Sequence, residues 1–82
     1  MNKIFTRMKN IIVEQFNAEH ISKIGPHDIY LENANYSDGN TTCVFSLLVQ
    51  SSRSIIYEVT YYRKYPHYEV KIFEVQKMFI EY

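Results

Sequence analysis

The apolar positions change period once along the chain. Through residues 2–16, Ile4, Phe5, Met8, Ile11, Ile12 and Phe16 fall within an arc of about 140° when wound at about 100° per residue. Lys3, Arg7, Asn10, Glu14 and Asn17 take the opposite side. That spacing predicts an amphipathic helix. Beyond it, Gln15 and Glu19 intrude on the apolar arc, and Ile21 would point outward from a straight continuation. The break predicts a bend or a second short helical turn over 18–24, with Asn17 as its cap. Gly25 and Pro26 should end it, because glycine suits a C-cap position and proline cannot continue a helix.

From residue 27 onward the period is two. A first strand, HDIYLENANY (27–36), runs into SDGN (37–40), where Asp38 and Gly39 are strong turn formers. TTCVFSLLVQ (41–50) is a second strand, and SSRS (51–54) is short and polar enough for a hairpin loop. IIYEVTYYR (55–63) is a third strand, followed by a turn at KYPH (64–67). The fourth strand, 68–82, blurs near 72–73, which predicts a bulge there, and its last residues suit strand or helix equally. The prediction is an α+β fold: an N-terminal helix on a four-stranded antiparallel meander, α-β-β-β-β, forming one domain over 1–82. In outline this order resembles the cystatin-like folds, a likeness of shape only.

Composition narrows the function classes. The chain has 82 residues, 46% of them hydrophobic and 22% charged, which suits a globular domain with a thin core. Nine basic and nine acidic residues cancel, which argues against a dedicated duplex-binding protein. The single Cys43 cannot form an internal disulfide, so a reduced, cytoplasmic setting is expected. No apolar run approaches a membrane span, and the N-terminal apolar residues are interrupted by charges, unlike a signal peptide. Abundant isoleucine, tyrosine, asparagine and lysine have AT-rich codons, which suggests a bacterial or phage origin.

Candidate chemistry is sparse. Cys43 alternates with Phe45, Leu47 and Val49 on one strand face, the pattern of a buried small hydrophobe and not a nucleophile. His20, His27, Asp28 and His67 match no zinc-ligand spacing. With two glycines there is no phosphate loop, and Glu58, Glu69, Glu74 and Glu81 read as strand-surface charges, Glu58 pairing across a hairpin with Lys71. No catalytic residue, metal or cofactor is expected. Lys3, Arg7 and Lys9 form a secondary basic patch, placed against the helix dipole.

The strongest functional signal is an excess of aromatic surface. If Cys43, Phe45, Leu47 and Val49 face the helix beside Ile55, Tyr57, Val59 and Tyr61, the far face receives Val44, Ser46, Leu48, Ile56, Glu58, Thr60 and Tyr62. Tyr30, Tyr36, Phe73 and Val75 are expected to join it, with Ile29 and Leu31 inward. A large apolar patch on a solvent face marks an interaction site, and tyrosine and arginine dominate interface hot spots. The expected function is a small non-catalytic protein-binding domain of the inhibitor, adaptor or immunity-type kind. Its expected partner-binding residues are Tyr61, Tyr62, Arg63, Lys64, Tyr65, His67 and Tyr68, around the third hairpin. Two alternatives are a single-stranded nucleic-acid-binding module, with these aromatics stacking bases, and a homodimer closed through the exposed face.

Overall fold

The structure, a computed structural model, describes residues 3–50, 53–64 and 67–76, with backbone alone at 49–50, 53 and 71–76. Helix α1 (Lys3–Glu19) is followed by a 3-10 turn (Pro26–Asp28) and strands β1 (Tyr30–Ser37), β2 (Asn40–Gln50), β3 (Arg53–Tyr61) and β4 (Tyr68–Gln76). The strands form one antiparallel sheet in the order β1-β2-β3-β4, and the helix packs on one face. This is the predicted α-β-β-β-β arrangement.

The helix buries Met8, Ile12 and Phe16, three residues at successive steps of four that share one side of the cylinder. Ile4, Phe5 and Val13 pack at the margins of the core. Val13 therefore joins the core side, while the half-buried Ile11 lies outside the core cluster. The helix is rolled slightly from the predicted arc. From the sheet, Cys43, Phe45 and Leu47 of β2 meet Ile55, Tyr57 and Val59 of β3, and Ile29 closes one end. Register explains the match: Cys43 sits opposite Val59, Phe45 opposite Tyr57 and Leu47 opposite Ile55, so all six side chains share the helix face.

The helix ends differently from the prediction. The chain bends at Ile21–Ser22, one of the two expected alternatives, but there is no second helical turn over 18–24 and Gly25 is not its C-cap. The helix continues to Glu19, and the Lys23 ammonium donates to the carbonyls of Asn17 and His20, meeting orphan groups of the last turn. Asn17 is a bracket, not an N-cap. Its Nδ2 donates to the Ile24 carbonyl at 3.0 Å, and Ile24 N–H donates to its Oδ1 at 2.8 Å. Gly25, at φ −117° and ψ 172°, instead precedes the 3-10 turn, where Pro26 occupies a first helical position. Asp28 Oδ2 accepts from Gly25 N–H at 2.9 Å, tying the turn shut.

Asp38 (φ 52°) and Gly39 (φ 81°) form the two-residue turn between β1 and β2, both in the left-handed region that a type I′ hairpin requires. The second and third strands are closer in sequence than predicted, because Gln50 pairs with Arg53. The bulge expected near 72–73 is absent: β4 pairs with β3 in unbroken register from Tyr68 to Gln76, with Lys71 opposite Glu58 as predicted. Irregularities fall instead between Leu31 and Asn33 in β1 and between Leu48 and Gln50 in β2. The extra residue Glu32 reverses the alternation of the rest of β1. Tyr36 consequently sits opposite Thr41 on the helix side, not with Tyr30 on the outer face.

Candidate interaction surface

The third hairpin absorbs more of its own tyrosines than the sequence implies. Tyr61 and Tyr68 stand opposite each other on the helix face, with ring centroids 5.0 Å apart, and both pack against the core. They extend the core towards the end of the sheet. Tyr62 lies on the outer face, half-buried. Its N–H donates to the His67 carbonyl at 3.2 Å, and its ring stacks on His67 at 4.7 Å. Its hydroxyl donates to Glu69 Oε2 at 2.7 Å. This hydrogen bond, with lesser contributions from desolvation and the charges of Glu69 and Glu58, raises the phenol pKa above its ordinary value. Four of the expected partner-binding residues, Tyr61, Tyr62, His67 and Tyr68, are thus engaged within the hairpin.

Arg63, Lys64 and His67 are exposed. The Arg63 stem lies over the β1–β2 turn, so a Cβ placed on Gly39 would come within 3.3 Å of Arg63 Cδ. Glycine there meets two demands, a positive φ and a close neighbour. Tyr65 and Pro66 lie outside the described residues, as do 77–82, where strand and helix were equally expected. The Lys3, Arg7 and Lys9 patch is not one surface. Lys3 and Arg7 are exposed and one turn apart, whereas Lys9 is half-buried and projects about 200° around the axis from Arg7.

Register grades the outer face. One rung crosses all four strands as Tyr30, Ser46, Ile56 and Phe73, and the next pairs Leu48, Ser54 and Val75. Towards the third hairpin the rungs become Asn33, Val44, Glu58 and Lys71, then Asn35, Thr42, Thr60 and Glu69. Apolar residues therefore gather at the end away from the tyrosine hairpin. At the polar end, Thr42 and Thr60 hydroxyls lie 3.1 Å apart, a cross-strand hydrogen bond. Near the middle, Ser46 Oγ donates to Glu32 Oε1 at 2.7 Å.

The most open element is β1, exposed along its whole length. It nonetheless carries Tyr30 (61% exposed), Leu31 (41%) and Tyr36 (66%), and Leu48 (55%) lies on β2 just past the end of the β1 pairing, one outer-face position beyond Tyr30's partner Ser46. Alternation separates Tyr30 from Leu31, and the bulge moves Tyr36 to the helix side. Tyr30 and Leu48 look outward, and Leu31 and Tyr36 lie on the helix side. Leu31 was expected to face inward, and it does, but the helix does not cover it. The signal for this site was present in the tyrosine-bearing first strand, and it was outweighed by the denser cluster at 59–70.

The candidate reactive groups are apart. Cys43 is fully buried, and desolvation raises its thiol pKa, opposite to what a nucleophile needs. His20, just past α1, stacks on Phe16; His27, in the 3-10 turn, lies beside Asp28; and His67, just before β4, stacks on Tyr62. Among the described residues, no group of three or more His, Cys, Asp or Glu is arranged to hold a metal ion. No helix among them is long and apolar enough to cross a membrane. No family model, curated protein or solved structure matches the chain.

Proposed function

We propose that this chain is a small non-catalytic protein-binding domain of the inhibitor, adaptor or immunity-type kind, which meets its partner mainly with β1 and the neighbouring outer face. One observation carries the reading. The strand left bare by the helix holds three large apolar or aromatic side chains, with Leu48 adjacent. A bare strand has no folding reason to carry them, whereas a partner surface would bury them. Tyrosine is well suited to such a role, since its ring supplies contact area and its hydroxyl stays satisfied at a wet rim.

The hairpin residues expected to anchor a partner move to a lesser role. Tyr61 and Tyr68 support the core, and Tyr62 is held by His67 and Glu69. The same engagement weakens the single-stranded nucleic-acid alternative, because one face of Tyr62 is already stacked. The test is affinity capture from cells with the wild-type chain and with a Tyr30→Ser/Leu48→Ser double variant, both checked for folding by circular dichroism. A stoichiometric protein held by the wild type and released by the variant supports the reading. Equal retention by both, or capture of no protein, refutes it.

A further inference from the structure

The edge of β4 offers a different kind of surface, independent of the β1 face. Tyr62 N–H donates to the His67 carbonyl, so Tyr62 and His67 form a hydrogen-bonded pair of the antiparallel ladder. Such pairs alternate with non-hydrogen-bonded ones. Continuing the observed register, His67, Glu69, Lys71 and Phe73 direct their backbone groups at β3. Tyr68, Val70 and Ile72 direct theirs at the free edge. Among the described residues, no strand pairs with that edge. It runs nine residues in unbroken register, without the bulge that interrupts the other edge strand, β1.

We propose that this edge pairs with β4 of a second copy of the chain, antiparallel and centred on Val70, to make one continuous eight-stranded sheet. Two constraints select the register. A two-fold pairing must join residues whose backbone groups face the edge, so Val70 or Ile72 can sit on the axis as a hydrogen-bonded pair, whereas an axis through Glu69 or Lys71 as a non-hydrogen-bonded pair sets like charges directly opposite each other. Centring on Ile72 sets Lys71 against Phe73 and Val70 against Glu74 of the other copy. Centring on Val70 sets Glu69 against Lys71 of the other copy, and Lys71 against its Glu69. On the helix face it sets Val70 against Val70 and Tyr68 against Ile72. Opposite charges meet on the outer face, and apolar groups meet on the helix face. A lysine in mid-strand normally deters edge pairing. Here the glutamate two residues away supplies its match in the second copy. Tyr68 and Val70 are half-buried in the single chain, so pairing also covers apolar surface at the core's margin.

The experiment is sedimentation velocity on the full chain over a roughly hundredfold concentration range, because a dimer fraction rises with concentration. Glu69→Lys or Lys71→Glu should each weaken dimerisation roughly tenfold or more, since like charges then meet twice across the two-fold axis. The Glu69→Lys/Lys71→Glu double variant should restore it. Val70→Pro deletes an N–H that β3 does not use and should abolish dimers while circular dichroism stays native. Lys71 also faces Glu58 within the chain, so if Lys71→Glu fails to fold, Glu69→Lys and Val70→Pro decide. A monomer at every concentration overturns the proposal. So does a dimer that survives Glu69→Lys and Val70→Pro, or one weakened by the single reversals and not rescued by a folded double variant. Partner capture through Tyr30 and Leu48 is read separately, so either proposal can fail alone.

Discussion

Asn17→Ala removes the bracket that holds residues 20–25 against the end of the helix. Both hydrogen bonds go to Ile24, one from Nδ2 to its carbonyl and one from its N–H to Oδ1. They are partly buried, and each contributes a net of about 0.5–1.5 kcal/mol, or about 1–3 kcal/mol together. Alanine recovers about 0.5 kcal/mol, because Asn17 lies inside the helix and asparagine is the poorer helix former. The expected net loss is therefore about 1.5 kcal/mol. For a domain of this size that corresponds to a fall in Tm of roughly 6–12 °C. Urea denaturation followed by circular dichroism measures the free energy, and amide exchange reads the bracket directly. Ile24 N–H should be protected in the wild type and exchange faster in the variant. Asn17→Asp provides the control. It keeps the acceptor for Ile24 N–H but sets a carboxylate oxygen against the Ile24 carbonyl, so it should not rescue stability fully. An Asn17→Ala variant as stable as the wild type, with unchanged exchange at Ile24, would refute the bracket.

Two further perturbations test the outer face. The Ser54 hydroxyl is buried on β3 and has no hydrogen-bond partner among the described residues, so Ser54→Ala should stabilise the chain by about 1 kcal/mol in urea titration; a loss of stability would show that the hydroxyl is satisfied. Glu69→Gln should lower the Tyr62 pKa towards its ordinary value of about 10, measured from the Tyr62 ring-carbon shift in an NMR titration. Because the folded pKa is raised, whatever stability Tyr62 adds is complete below the unfolded pKa and is lost only as pH climbs through the folded one. An unchanged titration in the glutamine variant removes Glu69 as the cause.

What could be read in the sequence was set by local rules. Met8, Ile12 and Phe16 announced a helix face by spacing alone. Asp38 and Gly39 announced a turn because few residue pairs tolerate positive φ, and both adopt it. Cys43, Phe45, Leu47 and the facing β3 residues followed strict alternation, so their burial and mutual register were legible. The Glu58–Lys71 pairing was legible for the same reason. The bulge at Glu32 was not. The run LENAN shows no apolar alternation whose phase could reveal an extra residue, so Tyr36 was placed on the wrong face. Asn17 misled in another way. An asparagine near a helix end suggests a cap, and only the tertiary path of 20–24 shows that its amide spans seven residues instead. The tyrosine hairpin was legible as an element, but the engagement of its tyrosines within the fold was not. Sequence counts aromatics, and it does not show that Tyr61 and Tyr68 fill the core margin or that Tyr62 is tied to Glu69.

The exposure of β1 follows from dimensions. A helix with its side chains is about 10 Å wide, and neighbouring strands are about 4.8 Å apart. One helix therefore shields two or three strands of a four-stranded sheet. Here the deepest strand residues belong to β2 and β3, with Tyr68 and Val70 of β4 at the margin. The helix is displaced towards β4, and β1 is the strand it leaves bare. A chain under selection only to fold would make that strand polar on both faces. Asn33, Asn35 and Ser37 comply, whereas Tyr30, Leu31 and Tyr36 do not, and their exposure is what a partner would remove. The two edges then differ in kind. The β1 edge is broken by a bulge and offers side chains on both faces, while the β4 edge is regular and offers backbone. If two copies join through β4, both β1 strands stand at the outer ends of one sheet. Each remains open to a partner, and the dimer would present the same binding surface twice.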